Sequence, residues 1–322
     1  MANAPRWIAH RAATAALLLA LAQSAAHANL DVVVTIKPVH GLVAAIMEGV
    51  GTPYLLLDST ASPHTYAMKP SDVRRLGKAD VIVRVSRQLE VFLTKPLSLV
   101  SKKSRIVTID EETPGLTLLE LRKGGDFETH AHADEHARHD DHGHADGHPA
   151  HDTHVWLDPR NAKAIARHLG NVLAEALPSA AERLKSNGRA LADRLDALDA
   201  ALAEELAPIA SRPFLVFHDA YKYLEKRYGL SVAGAVTISP EAPPSARRLS
   251  SIRARAAKAG VVCVFAEPQF APRAIAAIVE GTGIRQGTLD PNGAALAAGA
   301  MHYFALMQGL ARDLRSCLSG TG

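Results

Sequence analysis

Two stretches of the chain repeat one hydrophobic pattern. Short runs of consecutive apolar, often β-branched residues alternate with longer segments whose apolar positions recur every three or four residues. In the first half the runs are Val32–Ile36, Pro53–Asp58, Val81–Val85 and Arg105–Ile109, with helix-like Gly41–Gly49 and Ser71–Asp80 between some of them. In the second half they are Phe214–Asp219, Ser231–Thr237, Val261–Glu267 and Ile284–Asp290. The helix-like partners there are Ala220–Gly229, Ser245–Gly260, Pro272–Gly283 and Gly293–Leu314. Near-continuous apolar strands between amphipathic helices predict parallel sheets covered on both faces. The fold class is therefore α/β, with two lobes, each a mainly parallel sheet flanked by helices.

Between the halves lies Pro178–Pro208. Leu184, Leu191, Leu195, Leu198, Leu202 and Leu206 form a single apolar stripe at helical spacing. Ser179 with Glu182 reads as a capping box, and Pro208 as the stop. A helix of about 28 residues spans roughly 42 Å and ties two lobes stiffly together. The expected organisation is a signal peptide over residues 1–28, a first lobe over 29–177, a linking helix over 178–208 and a second lobe over 209–322.

The signal peptide rests on Arg6 and Arg11, the apolar run Ala12–Leu21 and the small residues Ala26 and Ala28 around His27. The run is far below the ~20 residues a bilayer crossing needs. The mature chain is expected to begin at Asn29, exported and soluble, in a bacterial periplasm. Formal net charge is +3 and falls to +1 without Arg6 and Arg11, which argues for neither nucleic acid nor an anionic membrane as partner. Two cysteines, Cys263 and Cys317, in an oxidising compartment point to one disulfide, the alternative being two buried thiols.

Ligands of open α/β sheets bind beyond the carboxyl ends of the strands. His40, His64, His218, Glu267 and Asp290 all follow strand-like runs there. His154 leads into "VWLDPRNAK", read as a strand and then a helix start with Pro159 at its first position. Three histidines on rigid elements suit zinc, with water or a carboxylate completing a tetrahedron. His40, His168 and His302 read as packing or capping residues. Glu267 and Asp290 each precede a proline, so turn or cap roles compete with metal contact.

The stretch from His130 to His154 holds nine of the sixteen histidines. Residues 126–153 carry acidic residues and glycines without apolar periodicity, which predicts a disordered loop. His130, His132, His136, His139, His142, His144, His148 and His151 are expected there as weak secondary metal ligands that raise the local zinc supply or sense its excess.

Several blocks resemble the ZnuA family, the periplasmic zinc-binding solute-binding proteins of bacterial ABC importers. "ASPHTYAMKPSDVRRLGKADVIVRV", "HVWLDPRNA" and "FLVFHDAYKYLEKRYGL" are similar to its three ligand loops, and "CVFAEPQF" and "GTLDPNG" to its C-terminal lobe. The resemblance implies zinc ligands at His64, His154 and His218, in a cleft between lobes joined by the long helix. It also implies a Cys263–Cys317 disulfide like that of some members, and capture of Zn²⁺ for an ABC-type permease. Manganese-binding relatives carry a carboxylate where this chain has His218. Some zinc-binding members place a glutamate before the first histidine, where this chain has Pro63, so the fourth position falls to water or to Asp290. The implied partner is the membrane permease, with no nucleic acid, no membrane insertion of the mature chain and a monomeric state. Two other readings remain at this level: a zinc hydrolase using Glu267 as base, although no HExxH pair is present, and a stand-alone periplasmic zinc buffer.

Overall fold

The structure is a computed structural model. It describes residues 30–122, 151–237, 243–270 and 273–320. The expected signal peptide and seven of the eight expected secondary histidines lie outside these residues.

Two four-stranded parallel sheets form as the apolar runs predict. The first contains β1 (Val32–Val34), β2 (Tyr54–Leu55), β3 (Val81–Arg84) and β4 (Arg105–Thr108). The second contains β5 (Phe214–Val216), β6 (Val232–Ala235), β7 (Cys263–Ala266) and β8 (Arg285–Thr288). Their orders are β2-β1-β3-β4 and β6-β5-β7-β8, one topology used twice. The helices are α1 (Lys37–Ile46), α2 (Pro70–Leu76), α3 (Thr94–Leu97), α4 (Ile109–Glu112) and α5 (Pro159–Ala176), then α6 (Ala181–Leu206). In the second lobe they are α7 (Lys222–Tyr228), α8 (Ala246–Ala259), α9 (Arg273–Val279) and α10 (His302–Ser319).

Side chains alternate across each sheet, as the two-residue strand period requires. Val32, Val34, Val81 and Val83 enter the same core as Phe214, Val216, Cys263 and Phe265. Val33 and Ile82 face a separate outer cluster with Leu76 and Leu93. Leu215 and Val264 face another with Ile252, Ile275 and Ile278. The inner faces of both sheets thus share one continuous core, which includes the leucine stripe of α6. That helix packs against α1 and α5 of the first lobe and against α10 of the second. Its approach to α5 is close because glycines face each other. A Cβ on Gly188 would lie 3.2 Å from Ala166 O and 3.5 Å from Gly170 Cα.

Four local expectations are corrected. The linking helix has 26 residues, about 39 Å at 1.5 Å per residue. It begins after a 3₁₀ turn at Pro178–Ala180, so Ser179 lies within that turn and the N-cap is Ala180, without a side-chain cap. "VWL" is a 3₁₀ turn, Val155–Leu157, rather than a strand, although Asp158 caps α5 through Arg160 N with Pro159 in the first turn. The last helix starts at His302 rather than at Gly293. Gly293 and Gly299 take positive φ of 60° and 123°, a conformation that keeps the intervening chain out of a right-handed helix. Finally, the expected disordered loop does not reach Thr153. His151 forms an antiparallel bridge with Glu120, and Asp152 and Thr153 are buried.

The Cys263–Cys317 disulfide is present and fastens β7 to α10. Among the described residues, no helix is long and apolar enough to cross a membrane.

Candidate metal centre

Parallel strands send their carboxyl ends to one edge, and the chain leaving that edge carries the histidines. His218 lies two residues beyond β5, His64 in a turn of the segment following β2, and His154 immediately before the 3₁₀ turn that leads into α5. His154 and His218 are buried, and His64 is half-buried. Their ring centroids lie 5.5 Å (His64–His154), 5.7 Å (His64–His218) and 5.3 Å (His154–His218) apart. One ring nitrogen from each falls within 4.8 Å of the others, so the triad is able to close on a single metal ion.

Buried carboxylates orient two of these rings. Asp152 Oδ1 accepts from His154 Nδ1 at 2.9 Å and from the His154 backbone N–H at 2.8 Å. Glu267 Oε1 accepts from His218 Nδ1 at 2.5 Å. An ionised carboxylate only accepts, so facing a neutral imidazole it holds the proton on Nδ1 and leaves Nε2 as the ring's acceptor or metal-ligating atom. Those two Nε2 atoms stand 3.4 Å apart. At that separation one proton or one cation is able to be shared between them. Burial pushes the Glu267 carboxyl upward, and its contact with His218 works against that shift.

The segment bearing Asp152 is held from the opposite lobe. Tyr223 on α7 donates its hydroxyl proton to Asp152 O at 2.8 Å and accepts from Leu119 N at 3.1 Å. Arg122 pairs with Asp219 at 3.0 Å and with Glu225, while Lys222 Nζ donates to Glu120 O. Burial pushes the Asp219 carboxyl up to about 6, and Arg122 opposes this.

Other sequence-predicted residues have different positions. Asp290, expected as a possible fourth ligand, lies outside the histidine cluster. Its Oδ1 accepts from Gln269 Nε2 (2.8 Å) and Asn292 N (2.9 Å), and its Oδ2 from Ala294 N (2.6 Å). Its carboxylate therefore braces its own turn. His151, expected among the secondary ligands of the loop, places Nε2 2.9 Å from the buried Asp110 carboxylate. His40 sets Nε2 3.1 Å from Pro53 O, and burial lowers its pKa. His302 faces the carbonyls of Ala297 and Asn292. Both are packing residues, as read from the sequence.

Sequence reasoning missed Asp152, Tyr223 and Arg122, and gave Glu267 other roles. A faint signal existed for two of them. Asp152 stands two residues before His154, and Glu267 directly follows β7, which neighbours the strand that delivers His218.

Comparison with known proteins agrees with this geometry. Residues 32–317 match the family model ZnuA, "Zinc-uptake complex component A periplasmic". The high-affinity zinc uptake system protein ZnuA of Brucella suis biovar 1 is 40% identical over 308 residues, covering 89% of this chain and 91% of that protein. Its counterpart from Yersinia pestis is 36% identical over 322 residues, covering 99% and 100%. A crystal structure of ZnuA superposes with a TM-score of 0.72 at 25% identity, covering 88% of this chain and 98% of that one. With its doubled parallel sheet, its long linking helix and its histidine triad, the chain belongs to the ZnuA family of periplasmic zinc-uptake components.

Proposed function

We propose that the protein captures Zn²⁺ between its lobes through His64, His154 and His218, with water as the fourth ligand, and delivers it to the permease of an ABC-type importer in the periplasm. The observation that carries this reading is the convergence of three histidine ring nitrogens within 4.8 Å, with the Nε2 atoms of His154 and His218 3.4 Å apart and each of those rings held by a buried carboxylate at its Nδ1. Nitrogen donors of this kind suit a borderline cation; a hard cation prefers oxygen. Charge adds support: Asp152 and Glu267 offset the ion's positive charge without occupying its coordination sphere.

The site serves as a carrier rather than a catalyst. A zinc hydrolase needs a base facing substrate beside the metal. Glu267 is buried, with Oε1 committed to His218, and Asp290 is committed to its own turn. Histidines 130–148 supply weak secondary binding sites that raise local zinc concentration.

Calorimetric titration of zinc, with manganese as competitor, tests the reading on a variant whose residues 126–150 are replaced by a short Gly–Ser link. One tight zinc is expected. It should be lost on His64→Ala, His154→Ala or His218→Ala and should not be displaced by manganese. A folded variant without tight zinc would move the site to the histidine-rich segment and overturn the proposal. Delivery is tested by zinc-limited growth of a strain lacking the gene: the wild type should restore it and His154→Ala should not.

A further inference from the structure

Lys37 is a buried cation in an unfavourable place. It is the first residue of α1 and only 8% exposed. The first turn of a helix presents its unpaired N–H groups and the positive end of its dipole, which disfavours an ammonium. Removing such a charge from water is costly unless its donors are met. Here they are met from two directions. Lys37 Nζ donates to Ala294 O at 2.7 Å and Leu296 O at 3.2 Å, both in the second lobe, and stands 3.6 Å from Asp58 Oδ1. Asp58 begins the loop that carries His64.

The receiving loop is braced. Asp290 accepts from Asn292 N and Ala294 N, and the His302 ring faces Asn292 O and Ala297 O. The same loop holds the other first-lobe ligand segment, because Trp156 Nε1 donates to Pro291 O at 2.8 Å. The Trp156 ring lies 5.3 Å from that of His154. Both ligand-bearing segments of the first lobe are therefore referenced to one stiff loop of the second, one through Lys37 and the other through Trp156.

We infer that Lys37 is a positioning residue for metal retention: its ammonium latches the His64 loop to the Asp290–Ala297 loop of the opposite lobe and keeps the triad closed on the ion. The inference rests on the zinc site proposed above. A packing residue has no need of charge at this position. A latch does, because carbonyls across a cleft are gripped by an ammonium and not by a methyl group.

The test measures zinc dissociation from loaded full-length protein into excess chelator, for wild type, Lys37→Met, Asp58→Asn and the double variant. Apo melting temperature is recorded alongside. Lys37→Met should release zinc about tenfold faster, a coupling of the size that distant positioning residues exert, with zinc stoichiometry still one. Asp58→Asn, at an exposed position that leaves the fold intact, should release it about twofold faster, in line with an exposed ion pair. In the double variant the Asp58→Asn effect should vanish. An unchanged release rate in Lys37→Met, with only a lower apo melting temperature, would overturn the latch. If Lys37→Met does not fold, an unchanged rate in Asp58→Asn overturns it. Wild type that loads no tight zinc would instead sink the zinc-site reading, a separate outcome.

Discussion

The two lobes are built on one sheet order but are fastened by opposite means. In the second, a covalent bond from Cys263 to Cys317 pins the strand beside β5 to the last helix. In the first, the comparable strand leaves the sheet at Val85 and Ser86, whose N–H groups converge on the buried carboxylate of Glu90 at 2.9–3.1 Å. Thr35 Oγ1, just past β1, donates to the same carboxylate at 2.6 Å. One lobe is closed by chemistry that pH does not reach and the other by a group that titrates. A common topology therefore does not imply a common response to conditions, although both lobes contribute to one histidine triad.

That contrast can be broken most forcefully at the site. His154→Ala in the first lobe and His218→Ala in the second should weaken zinc binding equally, by more than the ~10–100-fold that a carboxylate behind a ligating histidine is worth. Calorimetry on both variants checks this, and a large asymmetry would mean that one lobe holds the ion alone. Next in size is the disulfide. Replacing Cys263 and Cys317 by serine removes a cross-link of sequence separation 54, which costs up to about 4 kcal/mol on the chain-entropy model. Denaturant unfolding should register the loss, and hydrogen exchange should confine the early opening to the second lobe.

Glu90 gives the third prediction. Burial pushes its carboxyl up from 4.5 to about 7. Its contribution to stability is then fully present below pH 4.5 and lost as pH rises through about 7. The window spans on the order of 3 kcal/mol at most. Unfolding of Glu90→Gln measured between pH 5 and 7 should show a flatter slope than the wild type; equal slopes would refute the assignment. The smallest effect is expected where the linking helix meets the first lobe. Gly188→Ala puts a methyl 3.2 Å from Ala166 O and should cost about 1 kcal/mol by overpacking α5 against α6. A stabilised variant would show that this crossing has slack.

How far the sequence is readable follows from the range of the forces involved. Strand and helix periodicities are local, so β1 through β8 and the leucine stripe from Leu184 to Leu206 could be found without coordinates. Strand-end placement likewise singled out His64 and His218. Several of the misreadings are decided at a distance. Gly293–Met301 looks helical by composition, yet its carbonyls at Ala294 and Leu296 are taken by Lys37, more than 250 residues away in sequence. Asp152 sits in a polar run that reads as loop, and contacts from Tyr223 and Leu119 elsewhere in the chain help make it an ordered support for His154. Asp290 looked available as a ligand because the sequence does not reveal that Gln269 reaches it.

The footing of the histidine-rich segment has a consequence for how this chain can change over generations. The chain enters that segment after Arg122, gripped by Asp219 and Glu225, and leaves it at His151, paired with Asp110. The bridge from Glu120 to His151 joins the two footings directly. Insertions or deletions between them fall between two anchored ends, and lengthening a connection between fixed ends costs only a slowly growing entropy. Changes in length or composition within residues 123–150 thus fall under a constraint separate from that on the fold and the triad.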